Sequence, residues 1–431
     1  MSGTAVAPGE RSMTTRDGFL KAGHFPTLVA ALLYFDVSFM VWVLMGPLAP
    51  FLREQFGLTA TQQGLLVAVP LLGGSLFRPL LGILGDRIGG RRAGLLALGL
   101  TVAPLLIGWQ VAHTLAGFYA LGFLLGIAGA SFAVALPLVS GWYPPEYQGL
   151  AMGIAGAGNS GSLLATLGAP RLAERFGWAT TFGLMTLPVL TVFVAFAIMA
   201  KDSPRPRPRS TWRDYTAILR ERDTLWFSFL YGLTFGGFVG LASFLTTFFR
   251  EQYHVSKVSA GDLTTIVVLA GSMLRPIGGW LSDRIGGYRL LLVVLTAVGG
   301  CLVGAASLPP LPIVVVVLFL GVGLLGMGNG AVFQLIPQRF ADRMGLVTGV
   351  VGAAGGLGGF FLPSVLGTSK DMTGTYGVGL MLFAVVFFIG SFVLLELGAR
   401  WTAHWQPQAI RRGGVFCYRG VVRGMLGDET T

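Results

Sequence analysis

The chain is 431 residues long, 53% hydrophobic and only 11% charged, where an ordinary soluble domain carries about 25% charged residues. That composition, with a mean hydropathy of +0.72, excludes a soluble globular domain and predicts an integral membrane protein. The formal net charge of +11 suits either a nucleic-acid partner or membrane topology, and its distribution along the chain separates the two.

Residues 1–26 form a polar N-terminal tail. Apolar stretches of the roughly 20 residues that a bilayer crossing needs then cover 27–49, 62–84, 94–112, 115–140, 149–171 and 178–200. After a break they resume over 225–249, 262–283, 289–308, 312–334, 345–367 and 374–398. Their apolarity is continuous rather than alternating, so an all-α protein of twelve transmembrane helices is predicted, not a barrel. The tail holds Glu10, Arg11, Arg16, Asp17 and Lys21, and the first apolar run is too long for a cleaved signal peptide. Between the two sets of six lies "KDSPRPRPRSTWRDYTAILRERD", whose prolines and seven basic residues mark 201–224 as a cytoplasmic linker. It joins an N-terminal half, 27–200, to a C-terminal half, 225–398. A basic tail, 399–431, closes the chain, and its stretch 413–427 alternates Arg and apolar residues loosely enough to lie on a membrane surface.

With both termini in the cytoplasm, 22 of the 30 Lys and Arg fall on the inner side and six in outer loops. The positive-inside rule therefore accounts for the net charge, and no nucleic-acid partner is needed. A multi-pass protein of the cell's inner (plasma) membrane, surrounded by lipid, is expected. Cys301 lies in a span and Cys417 in the tail, while His24, His113, His254 and His404 fall at or beyond span ends. No disulfide framework, metal-ligand spacing, cofactor motif or nucleophile cluster follows from these, and no enzyme activity is expected.

The two halves repeat one another. Residues 74–92 and 271–289 are identical at 12 of 19 positions, and the Gly-rich "MGIAGAGNSGS" (152–162) is echoed by "TGVVGAAGGLGG" (348–359). Twelve spans, duplicated halves and the loop "GILGDRIGGRR" resemble the major facilitator superfamily. Its G-x-x-x-D-R-x-G motif falls on Gly82, Asp86, Arg87, Gly89 and Arg92, and again on Gly279, Asp283, Arg284, Gly286 and Arg289. In physical terms this is a cytoplasmic turn whose Asp and Arg can pair with neighbouring helix ends and part when the halves rock.

Arg78 and Arg275 are the two basic residues left, and both lie inside spans. Each precedes the motif arginine by nine residues, which places it roughly 13 Å from the turn, near the middle of a core about 30 Å thick. A central arginine costs about 2.5–3.5 kcal/mol on insertion scales, so packing alone does not explain two of them. Pairing with an acid is the alternative, but the spans offer only Asp36, early in span 1, and Glu396, near the end of span 12. Symmetry aims both guanidinium groups at the cavity between the halves, and their planar forks suit a small flat oxyanion.

Paired arginines in spans 2 and 8, with the Gly-rich "GIAGAGNSG" (153–161) and "GVVGAAGGLGGFFLP" (349–363), resemble the nitrate/nitrite porter family. The resemblance covers the chain apart from its tails. It implies that nitrate and nitrite are the ligands, and that Tyr231, Phe235, Phe132, Asn159 and Asn329 join Arg78 and Arg275 around them. Interhelical hydrogen bonding is a competing role for the asparagines, and the family's span 4 asparagine is replaced here by Ser131. Gly153, Gly156, Gly158 and Gly161, with Gly352, Gly355, Gly356, Gly358 and Gly359, are the signature glycines, expected to allow close packing and sliding beside the site.

Opposed arginines resist closure until an anion cancels part of their repulsion, which couples movement to substrate. Proton coupling needs a titratable group, for which Asp36 is the candidate and a helix cap the alternative. The stretch "GPLAPFLREQFGLTATQQGLLVAVP" (46–70) resembles assimilatory, proton-coupled porters, so nitrate uptake with protons is expected, by a monomer. A nitrate/nitrite antiporter is the alternative within the family, and an organic-anion or drug exporter the alternative outside it.

Overall fold

A computed structural model of the chain describes residues 15–110, 114–203, 211–340 and 343–416, and their regular structure is helical. Among the described residues, eleven helices are long and apolar enough to cross a membrane. Spans 1–4 are Phe25–Phe56, Ala60–Ile88, Gly90–Gln110 and Leu115–Ser140. Spans 6–12 are Trp178–Met199, Arg222–Tyr253, Lys257–Ile285, Gly287–Ala306, Leu311–Arg339, Leu346–Thr373 and Gly377–His404. Residues 1–14, the linker prolines (204–210), His113, Cys417 and most of the 413–427 stretch lie outside the described residues.

Span 5 departs from the expected continuous helix. It consists of two helices, Pro145–Gly156 and Gly161–Phe176, joined by a 3-10 turn at Ala157–Ser160. The sequence at the break, "GAGNS", is rich in residues that favour turns over helix interiors. A tertiary contact holds it open: the Ser160 hydroxyl donates to the Asp36 carboxylate of span 1 at 2.6 Å.

Elsewhere the helix ends follow local chemistry. Thr59 and Gln62 form a reciprocal capping box at span 2, and the Ser256 hydroxyl accepts from the Ser259 amide at span 8. In the repeated loop, Gly89 and Gly286 both have φ +90°, a region that side chains with a Cβ avoid. This explains why the motif keeps that glycine in both halves.

The halves meet through spans 1 and 7, 2 and 11, and 5 and 8. Backbone lies directly on backbone in each pairing. A Cβ at Gly46 would fall 2.1 Å from the Ser243 carbonyl, at Gly64 2.4 Å from that of Pro363, and at Gly261 2.5 Å from that of Thr166. These contacts lie toward the face opposite the tails, where ion pairs also join the halves. Arg53 pairs with Glu251, Lys257 and Arg250 with Glu54, and Arg171 with Asp262 at 2.6 Å. Asp371 of span 11 also accepts from the Ala60 and Thr61 amides at 3.1 and 2.7 Å. Near the tails, the ion pair Arg339–Asp223 stays within the C-terminal half. The molecule is thus clamped on the face away from its tails.

The linker is partly structured. Thr211 and Asp214 cap a short amphipathic helix, Trp212–Arg220, which buries Tyr215 and Ile218.

Candidate anion-binding site

Arg78 is only 2% exposed and sits at the junction of both halves. Its Nε donates to the Gly129 carbonyl of span 4 at 3.0 Å. That carbonyl is available because span 4 turns at Ala130–Ser131, where the Ala133 amide bonds to Ala130 instead. The Nη1 group donates to the Gly352 carbonyl of span 11, and Nη2 is buried with no partner among the described residues. Trp42, Phe132 and Phe235 surround the guanidinium at 5.1, 5.6 and 5.4 Å from their ring centres. Such a cage compensates a desolvated cation through its ring quadrupoles while leaving one edge for an anion.

Arg275 faces it from span 8, half-buried, with its guanidinium 6.0 Å from the Phe333 ring and its buried Nη1 unpartnered. The two guanidinium groups are close enough to repel one another, and the buried Tyr231 interacts electrostatically with both. Tyr231 and Phe235 stack at 5.0 Å and 5°, and Phe333 meets Tyr231 edge-on at 5.0 Å. Among the described residues, neither arginine is ion-paired with a carboxylate. The pair is therefore an uncompensated double positive charge lined by aromatic faces, an arrangement suited to a small flat anion.

Asn159, in the 3-10 turn of span 5, and Asn329, in span 10, are each 1% exposed. In both, the amide nitrogen and oxygen lack a partner among the described residues, so neither makes there the interhelical bond weighed as its alternative role. A buried amide left unpaired costs about 1–3 kcal/mol, which favours a polar species beside each. Ser131, standing where the family's asparagine is absent, likewise has an unpartnered buried hydroxyl.

The signature glycines divide into two kinds. A Cβ at Gly161 would lie 1.9 Å from the Asp36 carbonyl, and at Gly158 2.8 Å from the Asp36 nitrogen and Phe35 ring, whereas Gly153 and Gly156 face open space. Close packing in the first signature therefore belongs to its second half, contrary to the uniform role expected. In the second signature, a Cβ at Gly355 would meet the Tyr231 ring at 2.7 Å, at Gly356 the Ser75 hydroxyl at 2.2 Å, at Gly358 the Gly232 carbonyl at 2.2 Å, and at Gly359 Val239 at 2.6 Å. Gly352 keeps ordinary contact distance, 3.6 Å, from Arg78 and Phe132.

Asp36 lies well inside the first helix of span 1. It lies eleven residues past Phe25, much as Arg78 lies ten before Ile88, or about 15–17 Å in each case. Its carboxylate accepts from the Ser160 hydroxyl, next to the start of Gly161–Phe176 in span 5.

The loop motif makes no salt bridge through Asp86, Arg87, Asp283 or Arg284 among the described residues. The expected pairing is absent in this conformation, and Arg284 instead stacks 4.0 Å over Trp280. Next to Gly89, the Asp202 carboxylate accepts from the Arg91 amide at 2.9 Å. A Cβ at Gly82 would lie 2.8 Å from the Tyr215 hydroxyl.

The major facilitator superfamily pattern matches residues 30–363. Over 376 residues the chain is 36% identical to the "Probable nitrate/nitrite transporter NarK2" of Mycobacterium tuberculosis (strain ATCC 25618 / H37Rv), covering 85% of this chain and 95% of that one. The chain belongs to the nitrate/nitrite porters of the major facilitator superfamily. It is 34% identical to the "Nitrite extrusion protein" of Bacillus subtilis (strain 168), across 83% of this chain and 90% of that protein. The "Probable nitrate/nitrite antiporter NarK1" of Thermus thermophilus is 32% identical across 85% and 90%. The solved D-xylose-proton symporter shares the fold at a TM-score of 0.69, with 14% identity over 89% of this chain and 98% of that one. The porter is a multi-pass membrane transporter and not an enzyme.

Sequence reasoning missed three residues in this porter. Trp42 completes the Arg78 cage, and the spacing Phe35, Phe39, Trp42 along one helix face was the available signal. Phe333 lies one turn beyond Asn329 and touches Tyr231, Phe132 and Arg275. Tyr215 of the linker reaches both Gly82 and Gly349, one on each half. Burial, followed by the nearby Asp86, pushes its phenol up to about 12, which keeps it a neutral donor.

Proposed function

We propose that the porter moves nitrate and nitrite across the inner (plasma) membrane by alternating access, working mainly as nitrate uptake coupled to protons. The observation that carries the reading is the state of Arg78. Its guanidinium is sealed in aromatic rings, spends one arm on the opposite half's Gly352 and keeps another buried N–H unspent beside Arg275. Nitrate is flat and forked, matching guanidinium edges above and aromatic faces on either side.

In this mechanism the anion bridges the free N–H groups of Arg78 and Arg275. Tyr231 donates to it, Phe132 and Phe235 pack against it, and Asn159 and Asn329 supply amide contacts. Binding cancels part of the repulsion between the arginines, so the halves can close and rock past the occluded state. With the tails and linker in the cytoplasm, the conformation described is closed to the outside by the Arg53, Arg171, Arg250 and Lys257 ion pairs. The Asp86 and Asp283 loops act on the opposite, inner face. Asp36 carries the proton, releasing or tightening the Ser160 turn of span 5 as its charge changes. One copy of the chain in lipid suffices.

Exchange of nitrate for nitrite is the second reading, favoured by the antiporter named among the relatives. Purified protein in proteoliposomes decides between them. Labelled nitrate uptake under an inward proton gradient supports symport, and uptake only with nitrite inside supports exchange. Absence of nitrate movement in both conditions refutes the proposal.

A further inference from the structure

We propose that Trp42 is the positioning residue for Arg78, and that its indole also seals the anion site on the face away from the tails. The inference rests on the anion reading above. Trp42 is fully buried at the end of the first segment of span 1. Its Nε1 donates to the Pro70 carbonyl of span 2 at 2.7 Å, tying those two spans together directly. The indole is wedged against two glycines. A Cβ at Gly74 would fall 2.6 Å from Nε1, and at Gly129 2.3 Å from it, so these sites accept no larger residue while Trp42 stays in place.

Its position relative to Arg78 gives this wedge its purpose. The guanidinium lies 5.1 Å from the indole centre, closer than to Phe132 or Phe235, and its Nε donates to the carbonyl of the same Gly129 that bounds the indole. Trp42 thus sets both the face on which the cation rests and the gap to its backbone acceptor. Indole is also the ring with the strongest cation attraction.

Trp42 contacts the opposite half as well. Its ring stacks on Phe235 of span 7 at 6.3 Å and 19°, and meets Phe39 edge-on at 5.2 Å. Phe235 in turn stacks on Tyr231. A continuous aromatic layer therefore crosses between the halves on the Pro70 side of Arg78, further from the tails. When the halves part on that face, Phe235 must separate from both Trp42 and Phe39.

Nitrate uptake and nitrate-dependent thermal shift are measured on the native chain, Trp42→Leu and Trp42→Phe. Loss of the indole face in Trp42→Leu is expected to raise the half-saturating nitrate concentration about tenfold or more. Trp42→Phe keeps a ring but loses the Pro70 hydrogen bond, and is expected to recover most of that loss. The melting point without nitrate should change far less than the nitrate response. An unchanged half-saturation in Trp42→Leu overturns the inference, as does equal loss of stability and of transport in both variants. If Trp42→Leu does not fold, Trp42→Phe decides: a modest rise of roughly threefold in half-saturation is expected, and an unchanged value overturns the inference. A native chain that ignores nitrate refutes the anion site, and the positioning role falls with it.

Discussion

Arg78→Lys keeps the positive charge and removes the fork. In the native chain, Nε and Nη1 are committed to the Gly129 and Gly352 carbonyls, leaving Nη2 for the substrate. A lysine ammonium is a single point with three donors, and cannot reach two carbonyls in different halves while also meeting an anion. One charge-assisted hydrogen bond to the ligand is lost, at about 1.5–3 kcal/mol. At 1.4 kcal/mol per decade, the half-saturating nitrate concentration should rise between roughly 10-fold and 100-fold. The assay is labelled nitrate uptake into proteoliposomes at matched protein content, with Arg175→Lys as a control for charge away from the site; that residue lies near the far end of span 5 over Phe176. A half-saturation within about threefold of native in Arg78→Lys, well inside the predicted range, would refute the fork argument.

Asp36→Asn should abolish proton-driven uptake and leave nitrate/nitrite exchange active, because the amide oxygen still accepts from Ser160; proton-driven uptake at the native rate would move coupling elsewhere. Gly161→Ala should lower folded yield and transport sharply, since its Cβ would lie 1.9 Å from the Asp36 carbonyl, whereas Gly168→Ala, with nothing within 4 Å, should behave as native. Equal yields from these two, measured by size-exclusion chromatography, would contradict the packing of span 5 on span 1. Glu251→Gln removes the ion pair with Arg53, whose side chain is one-third exposed, so the change is worth no more than about 1 kcal/mol, or roughly a fivefold shift in population. Spin-label distances between the halves on that face should broaden toward the open state, and an unchanged distribution would show that the pair does not hold the gate.

Much of the site was legible because membranes make polar residues expensive. Arg78 and Arg275 stand out in apolar runs, and their repetition at the same distance from a duplicated loop carries the two-fold argument without coordinates. Hydropathy likewise locates the spans, with boundaries displaced by a few residues at the ends. The break in span 5 was less visible, because its composition is equally consistent with a packed glycine helix. Which of these applies depends on Asp36, more than a hundred residues away.

Residue types and their spacing by themselves determined that this chain crosses a membrane in two repeated halves and sets one arginine within an apolar span of each, because hydrocarbon admits so few arrangements of backbone and charge. Only the tertiary structure decided which donor of Arg78 remains unspent, and that Trp42 supports it. It also decided that the side chains of Asn159 and Asn329 bond to no group among the described residues. Those outcomes turn on which carbonyl or ring a side chain meets within a few ångströms, a matter settled by the packing of distant helices rather than by any local preference.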